Sequence, residues 1–550
     1  MGPETGLQPL PEEQKSQTAH IEEANQSSFG QDAGHDSLLD EDRLGVAQTL
    51  LKNPIIILCA LYGNIGALMY GFDNITLSLC LDMQPFVKQF GILENGEYII
   101  PAYWQSLWNA IPQLTTALGA WVSGPISDRL GRRYTMLIAG ALSIIGVAVV
   151  FTSSASPQFL VGKMINSLGL GMALASGQTY ISEIAPTKIR GIALAVYTVS
   201  LSVGYLIAAS VSLSRVTIMD QSSYKVVFAA EWIWPALLVL GAFIVPESPY
   251  YLIRKNQTDS ATKALTKLHR TNTWIQVQAR LKTMQETIQR EALVESGEAS
   301  FRDCFRGTNW RRTRIVLYAN GLSQMTGATF INNSPYFMVL AGLSATNTAM
   351  MVEVGIAMSI FSSILTLWAM ARVGRRTIVL SGIALAAVLF FIMGIAASVP
   401  TQSSASLWCV AITLQMVWLS IGPANGPALA VAAEVSSIRL RAKTLAIGFF
   451  FNYFYSTIWN IVVPYMFNPT EGNLGGLMGW IFFATSVVAF GVMWIELPET
   501  KDLSFEQIDR RFEQKVITRG FANLSIDPSI STKLDDIEMG GVANAEGSGR

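Results

Sequence analysis

The chain has 550 residues, of which 51% are hydrophobic and only 14% charged, with a mean hydropathy of +0.37. Soluble domains carry about 25% charged residues, so this deficit points to a polytopic membrane protein, and the net charge of −1 predicts no nucleic-acid partner. The four cysteines show no CxxC pairing and the three histidines lie outside the apolar runs, so neither a disulfide framework, a zinc site nor a histidine proton relay is expected.

Residues 1–53 are polar and lack the charged start and short apolar core of a secretory signal, so they read as a disordered cytoplasmic tail. Runs of about 20 mostly apolar residues, the length of a spanning helix, then recur twelve times, at 54–78, 99–123, 133–153, 157–181, 189–213, 226–246, 313–338, 349–371, 376–397, 406–433, 443–467 and 475–497. They are numbered here spans 1 to 12. A hydrophilic segment, 247–312, separates the first six from the last six. In it, Leu281, Met284 and Ile288 share one face at helical spacing, which predicts amphipathic linker helices beneath the membrane domain. The chain divides into a tail (1–53), a six-helix half (54–246), the linker (247–312), a second six-helix half (313–497) and a polar tail (498–550).

Lys and Arg concentrate in alternate loops: "SDRLGRR", "PTKIR", "RVGRR" and "RLRAK". The opposite loops hold few, namely Lys88, Arg215 and Lys225. The positive-inside rule places the basic loops, the linker and both termini in the cytoplasm. The halves also repeat. "GRR" recurs at an offset of 243 residues (131 to 374), a Glu followed seven residues later by Arg at 251 (183 to 434), and "PES/PET" at 252 (246 to 498). Three signals in one order at nearly the same offset fit a carrier built of two repeats, with its site between them near the midplane. Asp128, Arg129, Arg132, Arg133, Glu183, Arg190 and Glu247 in the first half, and Arg375, Arg376, Glu434, Arg441 and Glu499 in the second, are candidate gating charges. Networks among them that form in one state and break in the other would bias a two-state equilibrium. The second copy has Ala371 where the first has Asp128, so an asymmetric gate is expected.

"GPISDRLGRR" (124–133) resembles the signature loop of the major facilitator superfamily at every defining position. "SEIAPTKIRG", "PESP" and "PETK" are similar to the sugar porter family within it. "FRDCFRGTNWRRTRI", "EWIWP", "EVSSIRLRAKT", "NYFYSTIWNIVVPYMFNP" and "LPETKDLSFEQIDRRFEQKV" resemble fungal α-glucoside (maltose-type) permeases, so the likeness runs from about residue 54 to 516. The resemblance implies an all-α membrane protein of the major facilitator fold, with 12 transmembrane helices in two six-helix halves and a cytoplasmic helical linker. It also implies proton-coupled import of a sugar across the plasma membrane.

A proton-coupled carrier needs a titratable group inside the bilayer. Asp73, in "LMYGFDNITLSLCL", is the candidate, because a centred Asp costs about 2.5–3.5 kcal/mol on insertion scales and is kept for function or pairing. The family pattern sets an Arg of span 4 against this acid. Here Lys163 stands at that position, and many maltose-type members carry an uncharged or acidic residue there. An Asp73–Lys163 contact is therefore expected. Sugar recognition calls for amides and aromatic faces, and Gln105 of span 2, Gln324, Asn332 and Asn333 of span 7 and Asn452 of span 11 are the candidates. Gln178, Thr198, Thr329 and a second Gly-Pro at Gly426 depart from the hexose-porter pattern where substrate would be held, which puts maltose itself in question. The partners expected are a small molecule of the sugar class, protons and the lipid bilayer; no cofactor or metal is implied. With no nucleophile–base set or metal spacing, the chain does not read as an enzyme. A non-sugar carrier, a facilitative uniporter and a non-transporting sugar sensor are the rival readings.

Overall fold

In this computed structural model, residues 54–521 are described apart from 95, 270–273, 296–299, 371, 400–403, 438–439, 502 and 504. The expected disordered tails, Ala371 and the side chain of Arg190 lie outside the described residues.

Span 1 is two helices, α1 (Pro54–Gly63) and α2 (Ile65–Cys80), broken at Asn64, whose amide turns back onto the Ala60 carbonyl at 2.9 Å. After α3 (Gln84–Phe90) comes a short antiparallel hairpin, β1 (Ile92–Glu94) and β2 (Glu97–Ile99), with Ile92 opposite Ile99. An all-α reading did not foresee it, although Asn-Gly at 95–96 is a strong hairpin signal, and Gly96 adopts φ +90°. Spans 2 to 5 are α4 (Ala102–Leu130), α5 (Arg132–Phe151), α6 (Ser156–Ile184) and α7 (Thr187–Leu213). Span 6 is α8 (Ser222–Glu231) with α9 (Ile233–Ile244).

The linker forms α10 (Pro249–Arg254), α11 (Thr258–Leu268) and α12 (Trp274–Glu295). Leu281, Met284 and Ile288 do face one way, onto a small core of Leu252, Ile253, Ala261 and Leu265.

Span 7 is broken into α13 (Gly307–Met325), α14 (Ala328–Asn332) and α15 (Ser334–Leu340). Gly327 makes the first break at φ +81°, where a Cβ would also lie 2.6 Å from the Phe390 ring. Pro335 opens α15 at a position where its missing N–H costs nothing. Spans 8 and 9 are α16 (Ala345–Met370) and α17 (Arg375–Ser398), and span 10 is α18 (Ser404–Met416) with α19 (Trp418–Val435). Spans 11 and 12 are α20 (Arg441–Phe467) and α21 (Met478–Glu496), followed by α22 (Phe505–Glu513).

Ten of these twelve rods are long and apolar enough to cross a membrane by composition alone; α4 and the broken span 7 are the other two. Both carry interior amides and hydroxyls, such as Gln105, Ser106, Gln324 and Thr329, all buried. Their polarity is turned into the protein rather than towards lipid.

The apolar cores show how the halves meet. At the end away from the basic loops, one continuous core takes Phe72, Leu79 and Phe86 from the first half and Phe330, Phe337 and Phe467 from the second. Towards the basic end it splits. Met136, Leu170 and Tyr180 belong to a core of the first half, and Val316, Ile383 and Val431 to a core of the second. Cross-half hydrogen bonds at the fused end run from Ser106 Oγ to the Ile461 carbonyl (2.9 Å) and from Asn468 Nδ2 to the Ile100 carbonyl (3.2 Å). The bundle is thus closed at the uncharged end and parted at the basic end.

Within the first half, spans 2 and 4 approach through glycines. A Cβ on Gly171 would lie 2.0 Å from the Thr116 carbonyl oxygen, and one on Gly119 2.2 Å from that of Leu168. Nothing lies within 4 Å of a Cβ on Gly124. Overpacking costs about 1–3 kcal/mol, so Gly171→Ala should melt several degrees below the parent in detergent, while Gly124→Ala should melt within about a degree of it; equal melting curves for the two variants would refute this packing account.

Candidate functional site

Asp73 sits on α2, 6% exposed, and meets Lys163 of α6 as expected: Nζ donates to Asp73 Oδ1 at 2.5 Å. The contact is part of a larger buried group. Asn166, one turn after Lys163, donates through Nδ2 to Asp73 Oδ1 at 2.9 Å and to Glu231 Oε1 of α8 at 2.6 Å. Ser143 Oγ of α5 in turn donates to Asn166 Oδ1 at 2.5 Å. Span 3 can come this close because of Gly146, where a Cβ would lie 2.3 Å from the Asn166 nitrogen. Four spans of the first half thus converge on two carboxylates and one ammonium. Removing both charges from water is costly and is offset only by good geometry and added hydrogen bonds, which Asn166 and Ser143 supply. With both acids ionised the group holds one surplus negative charge, which a single proton neutralises.

The residues flanking Asp73 point the other way, to the seam between halves. Asn74 Oδ1 accepts from Asn332 Nδ2 of α14 at 2.9 Å. Tyr70, one turn earlier, donates to Gln113 Oε1 of α4 at 3.3 Å. Tyr197 of α7 and Tyr453 of α20 lie within electrostatic reach of Tyr70, and Tyr205 of α7 faces both Tyr70 and Asn332. Tyr70, Tyr197 and Tyr453 are half-buried. Half-buried tyrosines from three spans, with Asn74, Gln113 and Asn332 between them, offer the stacking faces and hydroxyl and amide groups that a polyol needs.

Of the amides singled out from sequence, Asn332 bridges to an amide of the other half, and Gln105 meets Tyr336 of the other half. Gln324 Oε1 accepts from Thr329 Oγ1 at 2.6 Å, Asn333 donates to the Thr329 carbonyl at 2.8 Å, and Asn452 donates to the Asn320 carbonyl at 2.5 Å. Gln105 is 1% exposed and donates to the Ile100 carbonyl at 2.8 Å, which places it in the seal at the uncharged end. Asn452 thus ties span 11 to span 7, while these bonds of the other three are local to their own segments.

At the basic end the repeated motifs resolve into one device used twice. Glu247 Oε1 accepts the backbone N–H of Arg132 at 2.9 Å, and Glu499 Oε1 accepts that of Arg375 at 2.9 Å. Each "PE" carboxylate thus caps the N-terminus of the helix that "GRR" begins, where the helix dipole favours an anion. Glycine precedes each cap for want of space: a Cβ on Gly131 would sit 2.3 Å from Glu247 Oε2, and one on Gly374 2.1 Å from Glu499 Oε2. Burial nevertheless pushes the Glu247 carboxyl above the usual carboxylate value, against the lowering effect of its backbone donors. The Arg132 guanidinium reaches Glu183 Oε1 (2.8 Å) and more loosely the exposed Asp128 (3.4 Å), and Arg375 reaches Glu434 Oε1 (2.9 Å). Glu183 also accepts from Ser248 Oγ.

Each of these pairs joins residues of the same half, consistent with the parted basic end. Arg129 is exposed, Arg133 contributes its backbone N–H to Glu247, and Arg376 donates through Nη2 to the Trp494 carbonyl at 2.6 Å and through its backbone N–H to Glu499. Arg441 faces Asp509 of α22, and burial lowers its pKa.

Sequence reasoning missed Glu231, Asn166, Asn74 and the tyrosines. Glu231 carried the same signal as Asp73, an acid inside an apolar run. Asn166 stands three residues after Lys163 on the same helical face, and Tyr70 and Asn74 are four apart on span 1.

A family model described as "Sugar (and other) transporter" matches residues 59–512. The chain is 28% identical to the MFS transporter fmqE of Aspergillus fumigatus, over 93% of this chain and 98% of that one. It is 29% identical to the general alpha-glucoside permease of Saccharomyces cerevisiae, over 90% and 82% of the two chains. Among solved structures, the inward-open xylose transporter XylE of E. coli superposes with a TM-score of 0.66 at 20% identity, covering 83% of this chain and 99% of that one. XylE is elsewhere described as a proton:xylose symporter.

The two capped networks differ in burial: the Arg132 side chain is 5% exposed and that of Arg375 21%. Stripping a partner from a buried charge costs about 3–5 kcal/mol, and less as the pair gains access to solvent. Glu183→Gln should therefore lower the melting temperature clearly more than Glu434→Gln; the reverse order would contradict the pairing described.

Proposed function

The chain belongs to the sugar transporter family and is a multi-pass membrane transporter with the major facilitator fold, and from that premise we propose that it imports a sugar by proton symport through alternating access. The observation that carries the proton coupling is the buried group of Asp73, Lys163, Asn166 and Glu231. The substrate class is an α-glucoside or other oligosaccharide, supported by the likeness to the general alpha-glucoside permease. It binds among Tyr70, Asn74, Gln113, Tyr197, Asn332 and Tyr453. The membrane is the plasma membrane and the basic loops face the cytoplasm, as their Lys and Arg content favours.

The mechanism follows from adjacency on span 1. Asp73 faces the first half's interior, and Asn74 holds Asn332 of the second half. Protonating the acid group removes its surplus charge and releases Lys163 and Asn166 from competing for the same carboxylate oxygen. A shift of α2 then changes what Asn74 offers across the seam, so proton and sugar bias the same two-state element. On closing the basic end, the exposed Asp128 and Arg129 become the surface that meets the second half's Arg375–Glu434 network.

One observation favours a second reading. The predicted sugar amides are largely bonded within the protein and tyrosines wall the seam, which suits a less polar metabolite. Uptake of a labelled sugar panel with and without a protonophore separates the two: protonophore-sensitive α-glucoside accumulation supports the first, and no sugar uptake from a correctly inserted chain sinks it.

Two further outcomes are expected. Asp73→Asn should abolish pH-driven accumulation while keeping counterflow exchange; undiminished concentrative uptake would remove Asp73 from the coupling. Neutralising Lys163 together with Asp73 should harm folding and exchange less than neutralising Lys163 alone, because it leaves one buried acid without a cation, Glu231, instead of two. Strictly additive losses in that cycle would argue against the coupling of the pair.

A further inference from the structure

Asp82 lies in the turn between α2 and α3, two residues past the end of span 1. It is 7% exposed, and its Oδ1 is fully enclosed with no hydrogen-bond partner. The ordinary role for an aspartate here would be to cap α3, but the N-cap residue is Met83 and no side chain caps that helix. Its chain neighbours Leu81, Met83 and Phe86 are all buried.

The turn sits beside the seal between the halves. The Ile100 carbonyl there accepts Gln105 Nε2 of the first half and Asn468 Nδ2 of the second. Tyr336 of α15 meets both Gln105 and the Ile100 backbone, and it feels the charge of Asp82, as does Cys80 of α2. The charged residues of the neighbouring elements are Lys88 on α3, Glu94 and Glu97 on the hairpin, Lys225 and Glu231 on α8 and Glu471 after α20. None forms an ion pair with Asp82 among the described residues. Lys88 and Glu471 are exposed, and Glu231 is committed to Asn166.

We propose that Asp82 is a second proton-binding site, a latch that takes up a proton from the uncharged side whenever the seal between Tyr336, Gln105, Ile100 and Asn468 closes over it. A carboxylate with one oxygen enclosed and given neither cation nor donor is expensive to ionise, and burial pushes Asp82 well above the usual carboxylate value. Opening the seal returns it to water and to an ordinary value near about 3.9. The closed state therefore binds more protons than the open one. Between those two values, lowering the pH favours closure; below both, no further gain remains. In the orientation proposed above, on which this inference rests, an acidic exterior would close the outer gate and drive the loaded carrier inward.

The test reads gate opening, not transport. In a chain with its four cysteines replaced by serine, Ser106→Cys within the seal is labelled from outside intact cells with a membrane-impermeant maleimide. Leu93→Cys, at the exposed hairpin, is labelled in parallel to normalise the thiol's own pH dependence. The normalised rate should fall severalfold or more as the pH is lowered from about pH 8 to about pH 5, by up to one decade for each pH unit over which the proton is differentially bound. Asp82→Asn should hold the low rate at every pH, changing less than about twofold. Asp82→Ser, checked for monodispersity by gel filtration, is the second neutral variant and should do the same. A pH-independent rate in the Asp82 chain, or a retained pH dependence in both neutral variants, overturns the proposal. Labelling of Leu93→Cys from the inside only would overturn it through its orientation, while leaving sugar transport untouched.

Discussion

An ionised carboxylate inside an apolar bundle must find a cation and donors, and the Asp73–Lys163 contact is where this protein meets that demand. Satisfying it draws four spans together. Span 1 brings the acid, span 4 the ammonium and the Asn166 amide, span 3 Ser143 and a close approach at Gly146, and span 6 a second acid, Glu231. The first half is organised around this group as much as around its aromatic core. Because two carboxylates share one ammonium, the group is held together yet left one charge out of balance, and an unbalanced group can respond to a proton.

The same economy governs the two ends of the bundle. At the uncharged end the halves share one core, and an amide from each half, Gln105 and Asn468, donates to the Ile100 carbonyl. At the basic end each half keeps its own core and its own charge network. Apolar contacts are non-directional and make a seal tight, whereas ion pairs can change partners without repacking. An end rich in arginines and carboxylates is suited to repeated opening, and an aromatic end to closing firmly.

Much of the arrangement was legible in the sequence, because membrane helices must satisfy their backbone internally and declare themselves by length and apolarity. The repeat was legible too, and the structure supplies its reason: Glu247 and Glu499 cap the helices that begin at Arg132 and Arg375, so "PES" and "GRR" are two ends of one hydrogen-bonded device. Lys163 was readable as the partner of Asp73 through family resemblance. The substrate amides were less readable. Gln105, Gln324, Asn333 and Asn452 show polarity inside a span, but polarity alone does not distinguish an internal hydrogen bond from a ligand contact, and each of the four makes an internal bond here.

The sequence by itself determined the twelve spans, the linker, the two-fold repeat and the presence of an acid where an acid is costly. These are properties of single segments, set by hydropathy and spacing. Only the tertiary structure decided which distant segments share a site. It placed Glu231 beside Asp73, Asn74 against Asn332, and Asp82 within reach of Tyr336 from the other half. Burial and partnering are relations between helices, and an acid's charge state depends on what the fold sets against it; no pattern within one helix carries that information.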